Sequence, residues 1–370
     1  MRIIHLHSGN MYGGVETFLS TWMKASRLHT PDWQHHFLLG WEGAFSARLK
    51  SLGIPYEVVP VPRFSRPWSI LGARRAVAER IRQLSPDLVV AHGFWQANAL
   101  LPSNLKLPTV LWMNDVLDRD HWLSWLVRER HFELVVTPSR YVTQSCADYL
   151  KADRFETVPY PVAKQDVSAG DRAAAREKLG ARPGEKIILQ VGRMQPWKGH
   201  RALLQAAASL KTRTPWKLWL VGGAQNEEEK RYEQSLKDLA ENLKIASRVV
   251  FWGQVDGAAT FYAAADLYCQ LNKRPESFGI VFVEALRAGL PVVTHRLGGE
   301  AEIFSRLPGF LTSADEPLSS VLALERLIDD DAFFEASRQE VARGDLSFCD
   351  PEIQSQKLAR LLAGVARGHA

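Results

Sequence analysis

The sequence predicts an α/β protein built from two Rossmann-like, doubly wound domains, and three observations predict it. Short apolar runs alternate with amphipathic stretches along the 370 residues, the rhythm of parallel strands joined by crossover helices. Several runs, such as Leu88–Ala91 and Leu134–Thr137, are nearly continuous in apolar residues, as strands covered on both faces require. The rhythm breaks once, in the small and polar stretch Ala163–Gly170, and then starts again.

Taken in order, strands are expected at Arg2–His7, His36–Leu39, Tyr56–Val59, Leu88–Ala91, Thr109–Trp112 and Leu134–Thr137. Helices are expected at Val15–Ala25 and Ile70–Leu84. After the break, Asp171–Leu179 reads as a helix. Strands follow at Ile187–Val191, Lys217–Val221, Arg248–Trp252, Asp266–Leu271 and Pro291–Thr294. Helices fall at Gly199–Lys211, Glu227–Leu243, Phe282–Ala288, Pro317–Ile328 and Pro351–Val365. A chain of this length suits two domains of ordinary size. They are placed at 1–162 and 163–350, with a C-terminal helix at 351–370 able to pack back on the first domain. Ligands of open α/β sheets bind beyond the carboxyl ends of the strands, so an interdomain cleft is the expected site.

Composition narrows the function. Hydrophobic residues make up 46% and charged residues 24%, an ordinary globular balance. No apolar run reaches the length of roughly 20 residues that spans a bilayer. The first residues, Met1–Gly9, lack the apolar core of a signal peptide, so the cytoplasm is the expected compartment. Three isolated cysteines, Cys146, Cys269 and Cys349, support neither a zinc site nor a disulfide framework. The net charge is +5, and 18 Lys and Arg against 14 Asp and Glu put most of it in residues 1–162. That suits an anionic ligand or membrane surface without demanding nucleic acid.

Two segments carry chemistry. In Glu276-Ser277-Phe278-Gly279-Ile280-Val281-Phe282-Val283-Glu284 two glutamates bracket a helix start, with Ser277 the expected N-cap and Gly279 a point of close backbone approach. The first-turn amides suit an anion, and Glu284 inside the helix suits a vicinal diol such as ribose. In Val191-Gly192-Arg193-Met194-Gln195-Pro196-Trp197-Lys198-Gly199 a guanidinium and an ammonium flank a loop at a strand end. Such a pair stabilises the charge of a departing diphosphate.

These pieces, with Ala285–Val293, Phe251–Val255, Tyr262–Asp266 and Gly298-Gly299 followed by Glu302, resemble the retaining GT-B glycosyltransferases of the large family 4. The first half matches more loosely, through Gly13-Gly14-Val15-Glu16 and Pro86–Gly93. The resemblance implies a metal-independent hexosyltransferase taking a nucleotide-diphosphate sugar, UDP before GDP, to a saccharide or lipid-linked acceptor. It implies that Arg193 and Lys198 hold the diphosphate and that Phe278, Gly279 and Ile280 offer backbone amides. Glu284 would bind the ribose, Glu276 the donor sugar, and Val255 the edge of the base. Gly13 and Gly14 would form a loop near the diphosphate. His92 matches a family histidine and is a catalytic candidate beside Glu276, Arg193, Lys198 and Asn114. Two positions depart from the pattern. Asn114 stands where the family usually places a histidine, and Tyr160-Pro161 where it often has Asn-Gly.

The stretch Arg63–Leu84, with Arg63, Arg66, Arg74, Arg75, Arg80 and Arg82 around Trp68, Ile70 and Leu71, reads as a basic amphipathic surface for weak contact with anionic lipid. Competing readings are an epimerase of the same fold, a phosphorylase, or a non-catalytic nucleotide-sugar-binding scaffold. A dinucleotide oxidoreductase would need Gly-x-Gly-x-x-Gly after the first strand, and Ser8–Gly14 does not supply it.

Overall fold

Strands that are apolar on both faces need helices on both sides, and the chain supplies them in alternation. In the computed structural model, which describes residues 1–103, 105–164, 168–255 and 257–368, the chain separates into two compact units. Unit 1 comprises Met1–Val162 and the residues from Ser347 on; unit 2 is Ala163–Leu346. Gln165, Asp166 and Val167 of the expected linker, and the last two residues of the expected C-terminal helix, lie outside the described residues.

Unit 1 runs β1 (Arg2–His7), α1 (Gly14–His29), β2 (Gln34–Leu39), α2 (Ala44–Ser51), β3 (Tyr56–Val58), α3 (Pro67–Leu84), β4 (Leu88–Ala91), α4 (Phe94–Ala99), β5 (Thr109–Trp112) and α5 (Trp122–Arg128). It continues with β6 (His131–Phe132), β7 (Leu134–Thr137), α6 (Arg140–Cys146), β8 (Lys151–Ala152) and β9 (Phe155–Thr157). Seven strands form a parallel sheet in the order β3-β2-β1-β4-β5-β7-β9, and β6 pairs with β8. Leu6, Leu38, Val89, Leu111 and Val135 meet Val77, Ala97 and Val142 in one apolar core.

Unit 2 runs α7 (Ala169–Lys178), β10 (Lys186–Val191), α8 (His200–Ala208), β11 (Trp216–Val221), α9 (Glu227–Asn242), β12 (Val249–Gly253), α10 (Ala259–Ala264) and β13 (Leu267–Gln270). Then come α11 (Ile280–Arg287), β14 (Val292–His295), α12 (Glu300–Phe304), β15 (Phe310–Thr312), α13 (Pro317–Asp329) and α14 (Asp331–Arg343). Its six parallel strands are ordered β12-β11-β10-β13-β14-β15. Strand order therefore reverses between β10 and β13, the switch point at which doubly wound sheets bind nucleotides. Arg172 and Arg176 of α7 both pair with Asp266, at 2.7 and 2.9 Å, and Asp266 also accepts the Ile187 amide at 2.7 Å. This ties the start of the unit to the roots of β10 and β13.

The last helix, α15 (Pro351–Ala366), belongs to unit 1 and packs on α1. It buries Leu358, Leu362 and Val365, and its Lys357 ammonium donates to the Thr157 carbonyl at 2.7 Å. The chain returns to it through a 3.0 Å bond from the Val162 amide to the Cys349 carbonyl.

The expected strands and long helices are present with ends shifted by a residue or a few. The short elements β6, β8, β9, β15, α2, α4, α5, α6, α10 and α12, and the longer α14, were not expected; the short helices span too few residues for a 3.6-residue period to repeat. Leu362 is fully buried on α15. Leu362→Ala is expected to destabilise unit 1 by about 2–5 kcal/mol, measured as an earlier urea transition with the circular dichroism of the folded baseline unchanged.

Candidate active site

The exit loops of β10, β13 and β14 approach one another so closely that only glycine fits at the contacts. Gly199 sits at φ +74°, and a Cβ there would lie 1.7 Å from the Leu271 carbonyl oxygen. On Gly298 a Cβ would lie 2.6 Å from the Glu276 carbonyl oxygen. Those contacts seat Lys198, one residue before Gly199, beside the loop that carries Glu276.

Glu276 is buried, only 8% exposed. One of its oxygens, Oε1, accepts from three side chains: the Lys198 ammonium, Asn272 Nδ2 at 3.2 Å and Gln270 Nε2 at 3.3 Å. Each donor is held by something else. Tyr268 donates its hydroxyl to Gln270 Oε1 at 2.8 Å, which turns the amide NH2 of Gln270 toward Glu276 and toward Asn272 Oδ1, 2.9 Å away. The Asn272 carbonyl accepts from His295 Nδ1 at 2.9 Å. The Lys198 carbonyl accepts from Gln190 Nε2 at 2.7 Å. Gln270, Asn272 and His295 escaped sequence reading because polar residues at strand ends carry no periodic signal.

A second buried carboxylate fixes the backbone. Glu300 accepts the amides of Leu297 and Gly298 at 2.9 and 2.8 Å on Oε1, and that of Glu276 at 3.3 Å on Oε2. Burial pushes its carboxyl up while those amides pull it down, and the net direction is up. The loop after β14 and the Glu276 loop are thus sewn together through one side chain.

Helix α11 starts at Ile280 with Gly279 as N-cap, φ +95°. Ser277, the expected N-cap, lies two residues upstream and does not cap it. The chain enters the helix through a left-handed residue, which a side chain resists; a Cβ on Gly279 would lie 2.5 Å from the Phe282 ring. Phe278 and Ile280 are buried on either side. The amides of Ile280 and Val281, first in the helix, have no acceptor within it. One turn on, Glu284 Oε2 accepts the Tyr262 hydroxyl at 3.0 Å. Desolvation pushes the Glu284 carboxyl up to about 7, against the pull of that hydroxyl. Tyr262 was legible only as part of the Tyr262–Asp266 segment, with no role.

Arg193, two residues beyond β10, donates to Glu229 Oε1, and Glu229 Oε2 accepts the Gln225 amide at 2.7 Å. A guanidinium expected at the diphosphate is therefore already paired with a buried carboxylate. Nothing in the sequence linked two residues 36 positions apart. Val255 follows β12 on a loop packed against Gly223, where a Cβ would lie 2.8 Å from the Gln254 amide nitrogen. Unit 2 thus collects Arg193, Lys198, Glu276, Phe278, Gly279, Ile280 and Glu284 around the exits of β10 and β13, with Val255 beyond β12.

In unit 1, Gly13 is the N-cap of α1. Its amide donates to Glu16 Oε2 at 2.8 Å, and Glu16 Oε1 lies 3.3 Å from His7 Nε2. The Gly13 amide is thus already used within the capping box, while Gly14 is the first residue of the helix. His92, 2% exposed, stacks near Trp112 beyond β4. Asn114, beyond β5, accepts the Tyr160 hydroxyl on Oδ1 at 2.8 Å, and Tyr160 stacks on Phe18 at 4.1 Å between ring centroids. The two departures from the family pattern are therefore partners. Trp112 is core, whereas Trp122 and Trp125 are exposed.

Two family models match. Residues 12–165 match "Glycosyltransferase Family 4" and residues 171–343 match "Glycosyl transferases group 1". The chain belongs to glycosyltransferase family 4. Among relatives of this family-4 chain, the D-inositol 3-phosphate glycosyltransferase of Nocardia farcinica is 36% identical over 184 residues, 48% of this chain and 40% of that protein. The N-acetyl-alpha-D-glucosaminyl L-malate synthase of Bacillus anthracis is 26% identical over 255 residues, 67% of this chain and 65% of the relative. The first of these matches spans about two fifths of the relative's length. Anabaena HepE in complex with UDP and glucose has the same fold, with a TM-score of 0.83 at 24% identity over 98% of this chain and all of the other. Both units of this chain are therefore those of the GT-B fold. Among the described residues, no helix is long and apolar enough to cross a membrane, and no group of three or more His, Cys, Asp or Glu could hold a metal ion.

A carboxyl raised on folding favours the neutral form, so its contribution to stability is present below about pH 4.5 and is lost as pH rises through about 7. Glu284→Gln mimics that neutral form. Its melting temperature is expected to match wild type near pH 4 and to exceed it increasingly up to pH 8, followed by differential scanning fluorimetry.

Proposed function

We propose that this chain transfers a hexosyl unit from UDP-hexose to a hydroxyl of a saccharide-like or lipid-linked acceptor, with retention at the anomeric carbon. The observation that carries the reading is the convergence of Lys198, Gln270 and Asn272 on Glu276 beside a glycine-headed helix, at the switch point of the unit 2 sheet. A nucleoside diphosphate supplies what that arrangement lacks. Its phosphates meet the first amides of α11 and the Lys198 ammonium, and its ribose hydroxyls meet Glu284. Glu276, released from Lys198 as the phosphate takes the ammonium, then accepts sugar hydroxyls. UDP is preferred over GDP because HepE, which shares the fold, is known with UDP and with UDP-glucose.

In the reaction the bond from the anomeric carbon to the β-phosphate oxygen breaks, and one to the acceptor oxygen forms on the same face. The acceptor proton passes to the departing phosphate. Charge on that phosphate is stabilised by Lys198 and by Arg193 as it exchanges Glu229 for the anion. His92 and Asn114 are assigned to the acceptor side and the sugar. The names of two relatives, with D-inositol 3-phosphate and L-malate in them, favour an acceptor that joins a hydroxyl to an anionic group. The excess of Lys and Arg in residues 1–162 suits such a molecule.

The same reading puts the protein in the cytoplasm, touching the inner face of the membrane. Trp68, Leu71, Trp122, Trp125 and Leu126 are exposed apolar side chains of unit 1, and Phe64 packs edge-on against Trp122 at 4.8 Å. Arg63, Arg66 and Arg75 stand exposed beside them, whereas Arg80 pairs with Glu57 and Arg74 donates to the Asn98 carbonyl.

Thermal-shift titration with UDP, GDP and ADP is expected to raise the melting temperature with UDP, and the rise should vanish in Lys198→Ala. A response to no nucleotide would favour a scaffold over an enzyme. An inverted anomeric linkage in the product, read by NMR coupling constants, would exclude retention. Flotation at low salt is expected to carry the protein with anionic but not zwitterionic liposomes. Protein left at the bottom of both gradients would remove the membrane assignment.

A further inference from the structure

Unit 1 buries a line of side chains of which the proposed chemistry has used only His92, at one end. Ser26 Oγ lies 2.8 Å from His35 Nε2, His35 Nδ1 lies 2.9 Å from His5 Nε2, and His5 Nδ1 lies 3.0 Å from His92 Nε2. All four residues are buried. The sheet explains the alignment. His5 is in register with Phe37 on β2 and with Val90 on β4. His35 and His92 are each two residues from those partners, hence on the same face as His5.

Each ring in such a line is neutral. Burial holds His5 and His92 well below the ordinary histidine range and pushes His35 down to about 4. A neutral imidazole donates once and accepts once, so the line runs in one sense from end to end. Thr30 sets the sense. Its hydroxyl donates to the Ser26 carbonyl at 2.9 Å, so at the 2.6 Å contact between Thr30 Oγ1 and Ser26 Oγ the donor is Ser26. Ser26 Oγ therefore accepts from His35 Nε2. In turn His35 Nδ1 accepts from His5 Nε2, and His5 Nδ1 accepts from His92 Nε2. His92 is left with an unprotonated Nδ1, which is buried and has no hydrogen-bond partner. A buried acceptor in that condition is unfavourable until a donor reaches it.

We propose that Ser26, His35 and His5 are positioning residues that lock His92 as its Nε2–H tautomer and present Nδ1 as the acceptor for a substrate hydroxyl. The assignment of that hydroxyl to a sugar or polyol rests on the transferase reading above; the tautomer does not. The sense of the line matters chemically. With the opposite tautomer, His92 would offer a proton and suit a phosphate or carbonyl oxygen. With this one it accepts from a hydroxyl of the sugar or polyol and so orients it, while the proton of the attacking hydroxyl still passes to the departing phosphate. A wrong tautomer at a catalytic histidine is costly even when the geometry is intact.

The experiment uses the full chain labelled with 15N-histidine at neutral pH, without substrate. His92, assigned by the signal lost in His92→Gln, is expected to show a protonated Nε2 and an unprotonated Nδ1. Ser26 and His35 also line a cavity of about 500 Å³, so Ser26→Ala trims a wall and not a close-packed interior. In Ser26→Ala the His92 nitrogen shifts are expected to move toward a mixture of tautomers. The kcat should fall about tenfold, as is common when a partner that orients a functional histidine is removed. KM for the nucleotide sugar and the thermal shift with UDP should stay as in wild type, and Ser26→Thr should restore both shifts and kcat. A protonated Nδ1 on His92 in the wild-type protein overturns the proposal. So does a Ser26→Ala variant with wild-type shifts and kcat. A protein that binds no UDP and moves no sugar counts against the transferase reading alone, since the nitrogen shifts are read without either.

Discussion

One carboxylate oxygen, Oε1 of Glu276, organises unit 2. A buried carboxylate is tolerable only when its lone pairs are met, and here they are met by a cation and two amides drawn from the exits of β10 and β13. To bring those donors within reach, the loops must touch backbone to backbone. That is why Gly199 lies on Leu271 and Gly298 on Glu276. Removing one partner of such a cluster leaves the others as uncompensated buried polar groups. The second carboxylate, Glu300, repeats the device with backbone amides alone.

The same economy governs the cations. Lys198 and Arg193 are not idle charges awaiting a ligand; each is neutralised by a buried glutamate. On the proposed reading an entering anion competes with a carboxylate at each, so discrimination between one anion and another rests on the difference between two charge pairs and not on raw attraction. On that reading a diphosphate, carrying more charge than a carboxylate, gains most from the exchange.

Much of the fold was legible because parallel strands buried on both faces announce themselves as apolar runs, and Arg2–His7 or Leu88–Ala91 could be read to the residue. Arg193, Lys198, Glu276 and Glu284, named from the order of their motifs, come together around the exits of β10 and β13. What stayed hidden was every partner whose link depends on folding: Glu229 for Arg193, Glu300 for the Glu276 loop, Tyr262 for Glu284. Ser277 misled because a serine before an apolar run is a common cap, and here the chain turned through Gly279 instead. Asn114 and Tyr160 looked like two unrelated departures until the hydroxyl of one was found on the amide oxygen of the other.

The return of α15 to unit 1 has a consequence for synthesis. Unit 2 is continuous from Ala163 to Leu346 and can close on itself as it leaves the ribosome. Unit 1 has its sheet early but receives the helix that covers α1 only after unit 2 has been made. The usual order, in which the N-terminal domain folds first as the chain emerges, is therefore inverted for completion. Until Pro351–Ala366 has emerged, the apolar face that Leu358, Leu362 and Val365 will cover stays open to water, to chaperones and to other nascent chains.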